Sequence, residues 1–226
     1  MRAHEPIAAR RRDAAYPLVL LGAFGLVAAA LGVSPWYRQD WLLENLLVFV
    51  AVSILLLTYR RQRLSNSAYT LLFAFLLLHE IGAHYTYSEV PYESWIASLS
   101  GVNIAEQLGW QRNHYDRLIH FAYGLLIARP AIELLRHVAP PKGVWIYVLP
   151  VLFILSHSAI YELIEWAAAL VFGGDLGTAY LGTQGDEWDS QKDMACAAGG
   201  VVLAVTIMAV GGFMPGTRTS SRAQPG

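Results

Sequence analysis

Charge is scarce in this chain: 15% of its 226 residues are Asp, Glu, Lys or Arg, against roughly 25% in soluble domains. Cysteine is scarcer still. Cys196 stands alone, which excludes an intrachain disulfide and a paired-Cys metal site and leaves the redox compartment unmarked. No glycine-rich loop of the phosphate-cradling kind is present, nor a serine nucleophile motif. No basic face of the sort that nucleic acid requires is present either. What fills the chain instead is apolar. Hydrophobic residues make up 55%, and the mean hydropathy is +0.39.

The apolar residues fall in six runs, at 16–33, 41–59, 67–85, 116–135, 144–172 and 193–213. Each is close to the roughly 20 residues that cross a bilayer core as a helix. Strands of a membrane barrel are only about 10 residues long and alternate apolar with polar side chains. Runs such as 18–33 and 46–58 do neither. Backbone polar groups must be satisfied inside hydrocarbon, so these runs predict an all-α polytopic membrane bundle of about six transmembrane helices. The expected organisation is a cytoplasmic segment over 1–15, one membrane domain over 16–213, and a disordered tail over 214–226. The first run follows Arg10, Arg11 and Arg12 and looks like a signal peptide. It is longer than a signal core and other spans follow it, so it reads as an uncleaved span.

Positive charge alternates between loops. Arg2, Arg10, Arg11 and Arg12 precede the first run, Arg60, Arg61 and Arg63 follow the second, and Arg136 and Lys142 follow the fourth. Arg218 and Arg222 lie in the tail. The positive-inside rule then puts both termini in the cytoplasm, in agreement with an even number of spans. The other side is acidic, with Asp40, Glu89, Glu93, Glu106, Asp175, Asp186, Glu187 and Asp189, and is bordered by Trp36, Trp41, Trp95, Trp110 and Trp188. Aromatic residues of this kind form interfacial belts. The connection from Thr86 to Tyr115 is too apolar for a plain linker, and predicts a short interfacial helix or a lid.

On that acidic side the spans also carry their ionisable residues. Glu80 and His84 are four apart, as are Asp116 and His120, and Asp189 and Asp193. His157, Tyr161 and Glu165 form a stripe at i, i+4 and i+8, with Glu162 beside Glu165. Residues four apart share a helix face, so four helices each offer a polar pair at similar depth. Charge within a bilayer is costly, roughly 2.5–3.5 kcal/mol per group at mid-membrane, and marks function when it recurs. Three readings compete. In the first, Glu80, His84, His157, Asp189 and Asp193 ligate a divalent metal ion, as facing helices of bundles do. In the second, Glu162 or Glu165 acts as a base with Asp116 and His120 beside it, in metal-free proton chemistry or cation transport. In the third, the groups only hydrogen-bond between helices. His79 and His84 are five apart and need not face one centre.

Four segments also resemble a known family. They are His79-Glu80-Ile81-Gly82-Ala83-His84-Tyr85-Thr86-Tyr87, Asn113-His114-Tyr115-Asp116-Arg117-Leu118-Ile119-His120-Phe121, Tyr161-Glu162-Leu163-Ile164-Glu165-Trp166, and the segment from Gly182 to Met194, GTQGDEWDSQKDM. Together they resemble the YjdF-type bacterial inner-membrane proteins. The resemblance implies a multi-pass inner-membrane protein, and no particular activity. A more distant similarity is to VanZ-like membrane proteins, which are linked to glycopeptide-antibiotic resistance. Those also show Asp-x-x-x-His opening a span and an acidic pair ending a later one. They then carry Asp followed four residues on by Asn, where this chain has Asp189 and Asp193. Resistance itself is not implied.

The functional expectation is an outward-facing His/carboxylate centre with metal- or proton-dependent chemistry on the headgroup of a lipid or envelope precursor. The bilayer is the expected partner. A small proton- or cation-coupled transporter and a structural partner of an envelope complex are the alternatives. Transport requires a polar track toward the cytoplasm, and the inner halves of the spans look apolar apart from Arg129 and Glu133.

Overall fold

The computed structural model describes residues 7–214, apart from the side chains of 7–14, 175, 176, 178 and 179. The tail after Met214 and the first six residues of the N-terminal segment lie outside the described residues. Among the described residues the regular structure is helical throughout: α1 (Ile7–Gly32), α2 (Arg38–Thr58), α3 (Asn66–Tyr85), a single 3-10 turn (Tyr87–Glu89), α4 (Tyr92–Ser100), α5 (Ile104–Leu108), α6 (Tyr115–Val138), α7 (Trp145–Phe172), α8 (Gly174–Leu181) and α9 (Asp189–Val210). The long loop 86–114 thus holds two short helices. α4 leaves Leu99 90% exposed and buries none of its residues.

Five of these helices are long and apolar enough to cross a membrane: α1, α2, α6, α7 and α9. The sixth expected span is α3, whose 20 residues include Asn66, His79, Glu80 and His84. These polar residues lower its hydropathy below that of the other five. At 1.5 Å per residue α3 is still about 30 Å long, and it packs between α1 and α6 within the bundle.

α6 is the central helix. It packs against α9, α3 and α7, while α1 lies on α3, α2 runs along α3 and meets α8, and α8 folds back on α7. The α6–α9 contact is the tightest, because glycine faces backbone on both sides. A Cβ on Gly124 would sit 2.0 Å from the Ala197 carbonyl oxygen, and one on Gly200 would sit 2.2 Å from that of Phe121. Small residues let membrane helices approach in this way. The buried face of α9 runs Asp189, Asp193, Ala197, Gly200, Val201, Ala204 and Met208, so the packing that seats Ala197 also directs Asp193 toward α6. On α6, α7 and α9, away from the acidic residues, Ala128, Ile132, Ile154, Val201, Ala204 and Val205 form a dry core.

At the dry end, among the described residues, the buried carboxylate is Glu133, and it is fully used. Glu133 of α6 accepts from the Ser65 backbone N–H at 2.7 Å, the Ser65 hydroxyl at 2.6 Å and Arg129 Nε at 3.2 Å. Ser65 also caps α3 by accepting from the Ala68 N–H at 3.2 Å. Glu133 therefore pins the start of α3 to α6 and satisfies donors that a helix end otherwise leaves open.

Candidate functional site

The opposite end of the bundle gathers Asp40, Glu44, His79, Glu80, Asp116, His120, Glu162, Glu165, Asp189 and Asp193, all buried. They divide into three groups, set by which helix each one faces.

The innermost group joins α6, α7 and α9. One donor atom each from Asp116, His120 and Asp193 lies within 4.8 Å of the others, and all three residues are buried. His120 Nε2 is 3.6 Å from Asp116 Oδ1 and 3.5 Å from Glu162 Oε1. Asp193 Oδ1 and Glu162 Oε1 are both buried without a hydrogen-bond partner. Ser190 reaches Glu162 from α9. Asp116 lies in the first turn of α6 and Asp189 in that of α9, where the helix dipole favours negative charge. Glu165 is buried one turn along α7, beside Tyr161 and Glu162.

A second group binds the loop before α9 to the start of α6. Arg112 Nη1 reaches Asp189 Oδ1 at 2.5 Å and the Thr183 carbonyl at 3.0 Å. Arg117 Nη2 reaches Asp186 Oδ2 at 2.5 Å and Asp189 Oδ1 at 3.1 Å, and its Nε is 3.9 Å from Asp193. Lys192 Nζ adds a contact to Asp186 at 2.6 Å. The two loops also clasp through Asn113 N–H to Gln184 Oε1 at 2.9 Å and Gln184 Nε2 to the Asn113 carbonyl at 3.0 Å. Lys192, the Trp188 backbone N–H and Arg117 hold the Asp186 carboxyl well below the usual carboxylate range. Gly182, with φ +62°, carries the chain past Asp116. A Cβ there would stand 3.6 Å from Asp116 Oδ2, so this loop roofs the inner group.

The third group lies between α2, α3 and α7. Tyr161 OH donates to Glu44 Oε2 at 3.1 Å. Tyr87 OH and His79 Nδ1 are 2.5 Å apart. Thr86 Oγ1 donates to Asp40, and Thr86 itself has φ +63°, a costly conformation for a β-branched residue that persists only when its surroundings hold it. Glu80 is fully buried against Trp41 and Asn45 of α2.

The residues singled out by spacing therefore separate. Asp116, His120, Asp193 and Glu162 come together. Asp189 lies next to them but is engaged by Arg112 and Arg117. Glu80 faces α2. His84, four residues on, turns to α1, its Nδ1 2.8 Å from the Leu31 carbonyl oxygen. His157 is exposed, and its Nδ1 lies 2.8 Å from the Phe153 carbonyl oxygen. Asp40 and Glu44 carry no role in the sequence reading beyond Asp40's acidity, yet both are buried in the polar end. The signal was present, since they are also four apart at the start of a span. The Arg112 and Arg117 guanidiniums, which as a pair could hold a lipid phosphate, are taken up by Asp186 and Asp189.

Residues 16–211 match the family described as "Predicted membrane protein (DUF2238)". The chain is 40% identical over 187 residues to the inner membrane protein YjdF of Escherichia coli (strain K12), an alignment covering 81% of this chain and 84% of that protein. No solved structure matches the chain. The chain belongs to the DUF2238 family of membrane proteins and is a multi-pass inner-membrane protein of bacterial type.

Proposed function

We propose that this DUF2238 protein carries, at the polar end of its bundle, a divalent-cation centre that acts on the headgroup of a lipid or lipid-linked envelope precursor. Asp116, His120 and Asp193 are the ligands, and Glu162 is the base. The observation that carries this reading is the convergence of three buried donors within 4.8 Å, with Asp193 Oδ1 and Glu162 Oε1 beside them making no hydrogen bond, their nearest cationic or imidazole neighbours being Arg117 Nε at 3.9 Å and His120 Nε2 at 3.5 Å. Buried carboxylate oxygens without a hydrogen bond are expensive, and a cation supplies the close contact they lack. One nitrogen and two carboxylate ligands suit zinc, manganese or iron. A bound ion of that kind supplies Lewis acidity and lowers the pKa of water.

In this reading Glu162 Oε1, beside His120 Nε2, takes a proton from water. The water oxygen bonds to the electrophilic carbon or phosphorus of the headgroup ester, the ester bond breaks, and Glu162 returns the proton to the leaving oxygen. Arg112 and Arg117 act indirectly, by holding Asp189 and the loop above Asp116. By the distribution of Arg and Lys the polar end faces outward, with both termini cytoplasmic. A transport role is less well supported, because α6 between His120 and Glu133 passes through a dry core that includes Ala128 together with Ile154 and Val201.

The test is thermal unfolding of chelator-treated, detergent-purified protein, titrated with Zn²⁺ or Mn²⁺. A ligand present at 100 times its Kd stabilises by about 2.7 kcal/mol. The parent is expected to gain several degrees and a folded His120→Ala variant none. No metal-dependent gain in the parent, or an equal gain in the variant, contradicts the assignment.

A further inference from the structure

A cavity of about 320 Å³ lies between α2, α3, α6 and α7. Its position relative to lipid gives it a direction. α2 packs along α3 and touches α8, whereas α7 packs on α6, α8 and α9, so a seam remains between α2 and α7. The outer lining of the cavity along that seam is exposed: Ala51 on α2, and His157, Ile160 and Ile164 on α7, with His157 Nδ1 turned back to the Phe153 carbonyl oxygen at 2.8 Å. On either side stand Phe49, Val50, Ile54 and Leu163, all exposed and apolar, as side chains facing hydrocarbon are. The inner lining is buried and polar: His79, Tyr87, Asp116, His120 and Ser158. Ser158 Oγ is buried there without a hydrogen-bond partner. The cavity thus runs from a lipid-facing, mostly apolar mouth to two of the three residues of the proposed cation centre.

From the loop side, the approach to the same centre is obstructed. The Glu44–Tyr161 hydrogen bond crosses the seam. The loop over Asp116 is pinned by Arg112 and Arg117 on Asp186 and Asp189. We infer that the cavity is a lateral portal through which one hydrocarbon chain of a membrane amphiphile enters between α2 and α7, presenting its headgroup to Asp116 and His120 from within the bilayer. The occupant must be apolar at the mouth and polar at the inner end, which describes a lipid and not a soluble ligand. The volume lies at the lower end of the roughly 300–1,000 Å³ of small-molecule sites, enough for a headgroup and part of one chain.

This inference rests on the proposed centre for its meaning but is measured independently of it. The protein is reconstituted in nanodiscs of phosphatidylethanolamine and phosphatidylglycerol carrying a diazirine in one acyl chain. It is irradiated, and the labelled residues are mapped by mass spectrometry, with metal content measured on the same samples. Ala51→Trp fills the mouth at an exposed position, so the fold is retained. Leu46→Trp changes an exposed residue of the same helix outside the cavity. The expected result is lipid label on Val48, Ser158 or Tyr161 in the parent and in Leu46→Trp, lost in Ala51→Trp while metal content stays unchanged. Label confined to outward-facing residues in the parent, label inside the cavity unaffected by Ala51→Trp, or crosslinking at the seam to another polypeptide overturns the portal. Internal label without bound metal leaves the portal standing and removes the cation centre. Bound metal without internal label does the reverse.

Discussion

The two ends of the bundle are built on the same three helices and treat a buried carboxylate in opposite ways. At the dry end Glu133 is 8% exposed, and its oxygens accept from two donors on Ser65 and one on Arg129. At the polar end Glu162, also 8% exposed, leaves Oε1 without a hydrogen bond, as Asp193 leaves Oδ1. A carboxylate used for architecture is surrounded by donors. One that is buried beside a histidine and other carboxylates keeps an oxygen that makes no hydrogen bond, which the proposed cation centre would account for. On the proposed reading this difference separates a structural acid from a reactive one more sharply than burial or position in the helix does.

The comparison breaks most severely at its hinge, the α6–α9 contact. Gly200→Val drives a side chain into the Phe121 backbone, and overpacking of this kind costs about 3 kcal/mol. The variant is expected to lose the monodisperse peak in detergent gel filtration, and both ends go with it. A smaller effect tests each end by itself. Glu133→Ala removes charged hydrogen bonds and leaves the start of α3 open, a loss of about 2 kcal/mol in detergent unfolding. Glu162→Gln removes a poorly compensated charge and is expected to be neutral or stabilising by about 1 kcal/mol. Equal destabilisation at both ends would erase the distinction between them.

The smallest effect concerns the loop over the site. Asp186 has a depressed pKa through Lys192, Trp188 and Arg117. Its contribution is therefore present in full above the ordinary carboxylate value of 3.8 and is lost as pH falls through the lower folded value. Hydrogen exchange of residues 182–188, corrected for intrinsic rate, is expected to hold steady between about pH 5 and 8. Asp186→Asn raises it modestly at all pH values. An opening of the loop near neutral pH in the parent contradicts the ion-paired roof.

The fold was largely legible because hydrophobic length is a strong signal. All six apolar runs correspond to helices, and α9 begins at Asp189, four residues before its run. α3 is the instructive one. His79, Glu80 and His84 weaken it as a hydrophobic segment, and the first two are buried by its neighbours. The site was legible in part. Spacing of four places two residues on one face but says nothing about which helix that face meets. Asp116 and His120 face α7 and α9, whereas Glu80 meets α2 and His84 meets α1. His157 shares a stripe with Tyr161 and Glu165 yet lies at the exposed side. Asp40 and Glu44 show the converse, since a pair in the first turns of a span looks like interfacial charge until α7 and the Thr86 turn are packed over it.

The most direct measurement is metal content by mass spectrometry on protein purified gently in detergent without chelator, in the parent, Asp193→Asn and Glu133→Gln. The account predicts near-stoichiometric divalent metal in the parent and in Glu133→Gln, and its loss from folded Asp193→Asn. A parent without metal, or an Asp193→Asn variant that keeps it, contradicts a cation centre at Asp116, His120 and Asp193.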